Sequence, residues 1–376
     1  MFFSRVFIEI TNSCNASCLY CPYKRDKRKR EFMDFMLFKK IVDDLFQHHK
    51  TERIDLHILG EALLHPQVFD MIAYIDSQKK YPVQIELATN GLLLTNTSIQ
   101  EKLLSTKLNL IGISVRATNE EEYKLKLAQN QPSMSYRDYL DSLTAFIHRV
   151  HRKRSRLLIS LGYFHTVFSS FPLVFPYSFI NKTSQVESLI RSWHKTIEGY
   201  PQTIPLKKIE GFKYPEIYSL GNRTFRLSEN LELRIERIML WQNQLLSDAY
   251  FIKESATGDC SLAQSLNIAV NGNAIKCCLD YNSDMKFGNL NESSIDEISK
   301  NESYRKFRSS MDEGKLISPI CRKCLGTLYR KDTGKAVRLN LSKPLLFFLL
   351  LKENPGLLLK RMKERLEQLR KNLNKE

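Results

Sequence analysis

With 376 residues, 43% of them hydrophobic and 26% charged, the chain has the composition of a globular protein large enough for one big domain or two moderate ones. Lys and Arg outnumber Asp and Glu by 57 to 41, and the resulting charge of +16 suits nucleic acid, anionic lipid or anionic small molecules as partners. No uncharged apolar run approaches the ~20 residues of a transmembrane helix, and the opening MFFSRVFIEITNSC lacks a signal peptide's apolar stretch, so a cytoplasmic address is expected.

In chain order, residues 6–10 alternate apolar and polar and are read as a first strand. A helix carrying Phe38, Ile41, Val42 and Leu45 follows, with Asp34 as its cap. Residues 54–59 are the second strand, followed by a helix with Phe69, Ile72 and Ile75; residues 83–89 and 110–115 are the third and fourth. Ser135 and Asp138 form a capping box opening a helix to about His151, and 157–163 is the fifth strand. Ser184 and Glu187 suggest a second capping box, with a helix to about Trp193, and 206–212 a sixth strand. Repeated βα units imply a parallel sheet, curled into an open barrel or left flat. Residues 164–180, aromatic with two prolines, carry no clear pattern.

The expected organisation is a core over 1–212, a helical bridge over 213–257 (helical around 227–246), a small unit over 258–330 and a tail over 331–376. In the small unit, Asn271-Gly272 between two apolar runs signals a hairpin, and Ser294 with Glu297 a capping box for a helix reaching Phe307. In the tail, PLLFFLLL precedes a helix with Leu358, Met362, Leu366 and Leu369 on one face and many basic residues elsewhere. That suits either an interfacial membrane anchor, placing the protein peripherally at the inner membrane face, or a lid packed on the core. The basic runs over 24–30, 149–156 and 359–375 read as solvated faces.

In a reducing compartment eight cysteines are expected as metal ligands or catalysts. Cys14, Cys18 and Cys21 follow the first strand on a loop, with no histidine before His48. Three thiolates so spaced can hold three irons of a [4Fe–4S] cluster, leaving the fourth open, whereas a structural zinc needs four ligands. The other five are Cys260, Cys277, Cys278, Cys321 and Cys324, whose spacing alone allows an all-cysteine zinc site or a second cluster. Neighbouring residues on a strand face opposite ways, so only one of Cys277 and Cys278 is expected to be a ligand.

The segment CNASCLYCPY resembles the signature of the radical S-adenosylmethionine (SAM) superfamily. LGEALLHP, with Gly60-Glu61, resembles its GGEPLLHP turn; Thr89-Asn90-Gly91 resembles its TNG; Ser114 matches a serine of its fourth strand. Ala62 and Leu59 depart from the turn's usual proline and first glycine, and Lys126 stands where the family has an arginine. The resemblance implies a partial (β/α)6 TIM-like barrel, with SAM contacted through Gly60, Glu61, Asn90, Ser114 and Lys126. It also implies a cluster on Cys14, Cys18 and Cys21, an open iron that binds SAM, and a 5′-deoxyadenosyl radical that abstracts hydrogen. The spacing Cys260-x11-Gly272-x4-Cys277, then Cys321-x2-Cys324, is similar to the twitch form of the SPASM domain, a small α+β unit with an auxiliary [4Fe–4S] cluster. In that pattern the ligands are Cys260, Cys277, Cys321 and Cys324, and Cys278 is surplus.

The implied function is oxidation of a C–H bond in an unidentified substrate, carbohydrate-like or lipid-linked, with electrons from an external flavodoxin- or ferredoxin-type donor. Peptide or protein maturation is a second reading. A basic zinc-binding nucleic-acid module is a third, disfavoured because no stacking aromatics interleave the basic runs. No general acid or base can be named.

Overall fold

The computed structural model describes residues 1–18, 20–126, 134–153, 155–165, 180, 183–209, 223–237, 250–260, 262–334 and 336. Short β1 (Phe2–Phe3) pairs with β3 (Lys50–Thr51) beneath the main sheet. The core alternates strands with helices: β2 (Arg5–Ile8), α1 (Phe35–His48), β4 (Arg53–Asp55), α2 (Val68–Gln78), β5 (Gln84–Thr89), α3 (Thr97–Ser105) and β6 (Leu110–Ile113). It continues through α4 (Glu120–Lys126), α5 (Tyr136–Arg152), β7 (Leu158–His165), α6 (Thr183–Thr196), β8 (Arg223–Arg226) and β9 (Leu231–Arg237). Strands β2, β4, β5, β6, β7 and β9 lie side by side and parallel, six strands of a (β/α) barrel, with β8 antiparallel at the edge.

Alternation along each strand sets two chemically different faces. Ile54, Ile85, Ile111, Ile159 and Leu233 are fully buried on the helix side, each contributing roughly 1.5–3 kcal/mol. The opposite face carries Arg5, Arg53, Asp55, Glu86, Ser160 and Arg234. The sheet curls around it: the Arg234 guanidinium of β9 acts electrostatically on Glu86 of β5 and His57 beyond β4, reaching across intervening strands. The periodicity left flat and curled sheets open; the polar inner face decides for the barrel.

Several expectations change, among them the second strand, which ends at Asp55 instead of residue 59. Residues 206–208 form a 3-10 turn, and 210–212 lie outside the described residues. The sixth parallel strand is β9, within the stretch read as a helical bridge. Leu, Glu and Arg favour helices, but LELRIER alternates apolar and charged residues with period two, and pairing with β7 decides. Thr183 opens α6, so Ser184 lies inside the helix rather than capping it, and the helix runs on to Thr196. The boxes at Ser135 and Ser294 form as expected, and Asp34 caps α1 through the N–H groups of Met36 and Leu37. The second of these helices, α7 (Ile295–Lys300), stops at Asn301, which caps a separate α8 (Glu302–Asp312).

The small unit holds β10 (Tyr250–Lys253), β11 (Ser265–Ile268), β12 (Asn273–Ile275), β13 (Lys286–Asn289), α7, α8, α9 (Pro319–Cys324) and β14 (Thr327–Arg330). Its hairpin turns at Gly272, whose φ of +83° suits glycine. Strand β11 then pairs parallel with β2, so the ten-stranded sheet runs β13-β12-β11-β2-β4-β5-β6-β7-β9-β8. Strands β10 and β14 pair antiparallel, joining the unit's two ends. No helix among the described residues is long and apolar enough to cross a membrane. The tail beyond residue 336 lies outside the described residues.

Burial pushes the Glu86 carboxyl up to about 7 even with Arg53 beside it. The native state therefore keeps a proton that the unfolded chain releases near pH 4.5, so this group's contribution is full below that pH and is lost as pH rises through about 7. Glu86→Gln, which cannot ionise, should remove about 3 kcal/mol of the loss between these limits. Urea unfolding of both proteins at pH 5 and pH 8 checks this; equal slopes with pH would show that Glu86 does not titrate in the window.

Candidate functional site

The first cysteine loop leaves the C-terminal end of β2 and is stitched shut at its base. Met33 N–H donates to Ile10 O (2.8 Å), Asn12 Nδ2 to Lys29 O (2.8 Å), and Glu31 N–H to Asn12 Oδ1 (2.8 Å). Within it, Cys14 N–H donates to the Tyr23 hydroxyl (3.2 Å) and Cys21 N–H to Cys18 O (3.1 Å). The basic run 24–30 is only partly the solvated face expected. Lys24, Arg25, Lys27 and Lys29 are exposed, but Arg28 and Arg30 turn inward. Arg30 lies 4.1 Å over the Tyr23 ring and donates to Asp26 and to Tyr23 O. Arg28, its side chain 10% exposed, donates to Asp26 and, through Nη1 and Nη2, to both oxygens of Glu9.

Glu9 is fully buried where β2 ends. Besides Arg28 it accepts the Leu59 N–H (3.2 Å) and the Val270 N–H (3.0 Å). One carboxylate thus joins the cysteine loop, the turn after β4 and the hairpin of the small unit. Burial pushes the Glu9 carboxyl up, opposed by Arg28 and the Val270 and Leu59 N–H groups, so a charge there survives only when so fully paired.

Gly60 has φ +82°, and a Cβ there would fall 2.5 Å from Thr11 O and 2.8 Å from Ser13 O, so the turn lies directly against the loop's start. Glu61 N–H donates to Ser13 O (2.7 Å). Its carboxyl, pushed up to about 7 by burial, accepts the N–H groups of Asn90 (2.7 Å) and Leu63 (3.2 Å) and a bond from Thr89. Asn90 Nδ2 in turn donates to Asn15 Oδ1 (2.7 Å) and faces the Cys14 sulfur at 3.8 Å. From α5, the Tyr139 hydroxyl donates to Asn90 O (2.8 Å) and fills the space that Gly91 leaves. Ser114 N–H donates to Thr89 O (2.8 Å), placing the serine beside this turn at the end of β6. Cys14, Gly60, Glu61, Asn90 and Ser114 therefore gather at the C-terminal ends of neighbouring strands, where barrel active sites form. Lys126 ends α4; its side chain lies outside those described.

Burial pushes the Cys14 thiol up to about 11 and Cys21 up to about 12. Cys18 rises further, through burial and then the charges of Cys21 and Cys14. The three thiols lie within electrostatic reach of one another, in a site that disfavours the thiolate form unless cationic metal accompanies it.

The second set is coupled likewise. Cys277 feels Cys278 and Cys321, and Cys278 feels Cys324 and Cys260. Lys276, buried beside them, donates to Cys321 and to Ser318 Oγ (3.4 Å). Strand β12 ends at Ile275, so Cys277 and Cys278 lie beyond it, strand alternation does not separate them, and each lies within electrostatic reach of other cysteines of the set. Among the described residues no three His, Cys, Asp or Glu side chains converge on one point as ligands of a single ion.

Residues 8–164 match the family model of the radical SAM superfamily, and residues 260–325 the SPASM iron–sulfur cluster-binding domain. The chain carries a radical SAM domain followed by a SPASM domain. Among its relatives is a tungsten-containing aldehyde ferredoxin oxidoreductase cofactor-modifying protein of Pyrococcus furiosus, 32% identical over 96 residues, 26% of each chain. Another is the S-adenosyl-L-methionine-dependent 2-deoxy-scyllo-inosamine dehydrogenase of Niallia circulans, 31% identical over 99 residues, 26% of this chain and 39% of that one. The match thus spans well under half the length of either relative. SuiB of Streptococcus suis, solved with S-adenosylmethionine, shares the fold at TM-score 0.53 and 13% identity, over 82% of this chain and 68% of that one.

The radical SAM domain brings SAM and a [4Fe–4S] cluster, and the SPASM domain brings auxiliary iron–sulfur chemistry in place of structural zinc. Both thiol sets fit: each is mutually coupled, with donors (Asn90, Lys276) turned toward sulfur. Glu9, Lys276 and Arg116 stand in no sequence motif that marks them as site residues. A strict period-two reading of LELRIER would have placed Glu236 in the lumen, but the left-handed Arg116 (φ 56°) has no sequence signature.

Gly60→Ala tests the turn. A Cβ forced against Thr11 O in the left-handed region should cost about 1–3 kcal/mol, read as a lowered denaturation midpoint of the cluster-free protein. An unchanged midpoint would show that the turn relaxes away from the loop at no cost.

Proposed function

We propose that this chain oxidises a C–H bond of a small, carbohydrate-type substrate by two electrons. The observation that carries the reading is the pairing of β11 with β2, which builds the second cysteine set onto the same strand that delivers Cys14. When bound, SAM and its cluster supply a 5′-deoxyadenosyl radical able to take hydrogen from an unactivated carbon. In this reading Cys14, Cys18 and Cys21 hold three irons and leave one open to SAM. The Gly60-Glu61 turn, Asn90 and Ser114 position SAM's amino and ribose groups, and Lys126 takes the carboxylate.

Cys260, Cys277, Cys321 and Cys324 ligate a second cluster with no open iron, which suits an electron acceptor and not a substrate site. The balance is then complete: one hydrogen leaves to 5′-deoxyadenosine, one proton to solvent and one electron to the auxiliary cluster. An external donor of flavodoxin or ferredoxin type reduces the first cluster. The dehydrogenase of Niallia circulans supports this reading by sequence. Peptide maturation has support only from a likeness of fold.

The test is anaerobic reconstitution followed by assay against sugar alcohols and aminocyclitols. Iron should approach about eight per chain and fall by about half when Cys14, Cys18 and Cys21 are all replaced by Ala, with loss of 5′-deoxyadenosine release. One ketone should form per 5′-deoxyadenosine. Undiminished 5′-deoxyadenosine release by the triple variant, or modification of peptides alone, would refute the reading.

A further inference from the structure

Among the described residues of the lumen's inner face, Arg5, Arg53, Arg116 and Arg234 meet the carboxylates of Asp55, Glu86 and Glu236, and Arg116 lies beside the first cysteine loop. Arg116 follows Ser114 by two residues at the end of β6, with φ 56°, a conformation that non-glycine residues keep chiefly where function demands it. Its N–H donates to Gly162 O (3.1 Å), fastening this bend to β7. The guanidinium lies 3.9 Å over the Phe164 ring, and Phe164 meets Tyr20, between Cys18 and Cys21, edge-on at 5.0 Å. Gly162 clears the path, since a Cβ there would fall 3.1 Å from Arg116 Nη1. The side chain is only 10% exposed.

The counter-charge is shared. Glu236 of β9 meets Arg116 Nη1 at 2.5 Å and Arg234 Nε at 2.8 Å, so one carboxylate serves two guanidinium groups. The neighbouring acids are already engaged: Asp55 with Arg5 and Arg53, Glu86 with Arg53, and Glu232 with Arg226. His57, held down to about 4 by burial, is neutral. Both contacts are ion pairs that hold the Glu236 carboxyl below its ordinary range against its burial. Arg116 Nη1 and Arg234 Nε are buried with no properly directed acceptor among the described residues. Guanidinium groups in that condition favour a two-oxygen anion that can satisfy both.

We propose that Arg116 and Arg234 form an anion-binding pair in the lumen that takes a carboxylate or phosphate group of the substrate. This rests on the reading of the chain as a radical SAM enzyme with a barrel-bound small substrate, and narrows that substrate to an anionic one. The same two oxygens could come instead from the methionine end of SAM, and the test separates these sources.

The anaerobically reconstituted holoenzyme, saturated with SAM, is titrated calorimetrically with inorganic phosphate and with acetate. SAM is titrated separately. Wild type should bind at least one anion, and absence of binding by both at about 10 mM overturns the proposal, because charge-assisted pairs of this kind reach that range. Arg116→Gln should weaken anion binding about tenfold or more, with SAM affinity changed less than about twofold; Arg116→Lys, keeping the charge but not the fork, should fall between. Anion binding unaffected by Arg116→Gln overturns the site. A tenfold loss of SAM affinity with unchanged anion binding assigns Arg116 to SAM and likewise overturns it. Iron content confirms that each variant is loaded. Failure of wild type to cleave SAM would count against the enzyme reading, and leaves the anion titration as a separate result.

Discussion

The carboxylate of Glu9 is the point on which this structure turns. It is fully buried, and four donors meet it: two from Arg28 on the cysteine loop, one from Leu59 before the Gly60 turn, and one from Val270 in the auxiliary hairpin. Leaving any buried charge unpaired costs several kcal/mol, so these three segments are held to one arrangement or the carboxylate is stranded. It acts together with the Glu61 N–H bond to Ser13 O and the parallel ladder of β11 on β2, which hold the same three segments.

The rest of the barrel divides its work between faces. Branched aliphatic residues on the helix side supply the burial that holds the sheet together. The lumen carries arginines and carboxylates whose desolvation opposes folding, offset only by pairing. A barrel stabilised for its own sake would fill this layer with apolar side chains. Charge held inside it at such cost is expected where a polar substrate must be received.

The fold was legible where a local pattern coincided with a tertiary need. Strands β2, β5, β6 and β7 follow their alternating apolar residues, and the caps at Asp34, Ser135 and Ser294 act as side chain and spacing require. The cysteines stood out because most fall in short clusters, Cys14 to Cys21, Cys277-Cys278 and Cys321 to Cys324. What escaped depends on contacts distant in sequence. Strand β9 hides behind residues with high helix propensity, and its partner β7 lies some seventy residues earlier in numbering. Arg28 looks like any member of a basic run until Glu9 stands opposite it. Strand alternation does not separate Cys277 from Cys278, because β12 ends at Ile275 and both lie beyond it; the spacing from Gly272 is what singles out Cys277.

Glu9 couples the cysteine loop, the Gly60 turn and the auxiliary hairpin, a coupling that amide hydrogen exchange reads residue by residue. In the anaerobically loaded protein, Glu9→Gln should speed exchange at Leu59, Val270 and residues 26–31 together, by about tenfold or more for each lost charge-assisted bond. Residues of α5, remote from the carboxylate, should keep their protection. Faster exchange confined to residues 26–31, with Leu59 and Val270 unchanged, would contradict the account.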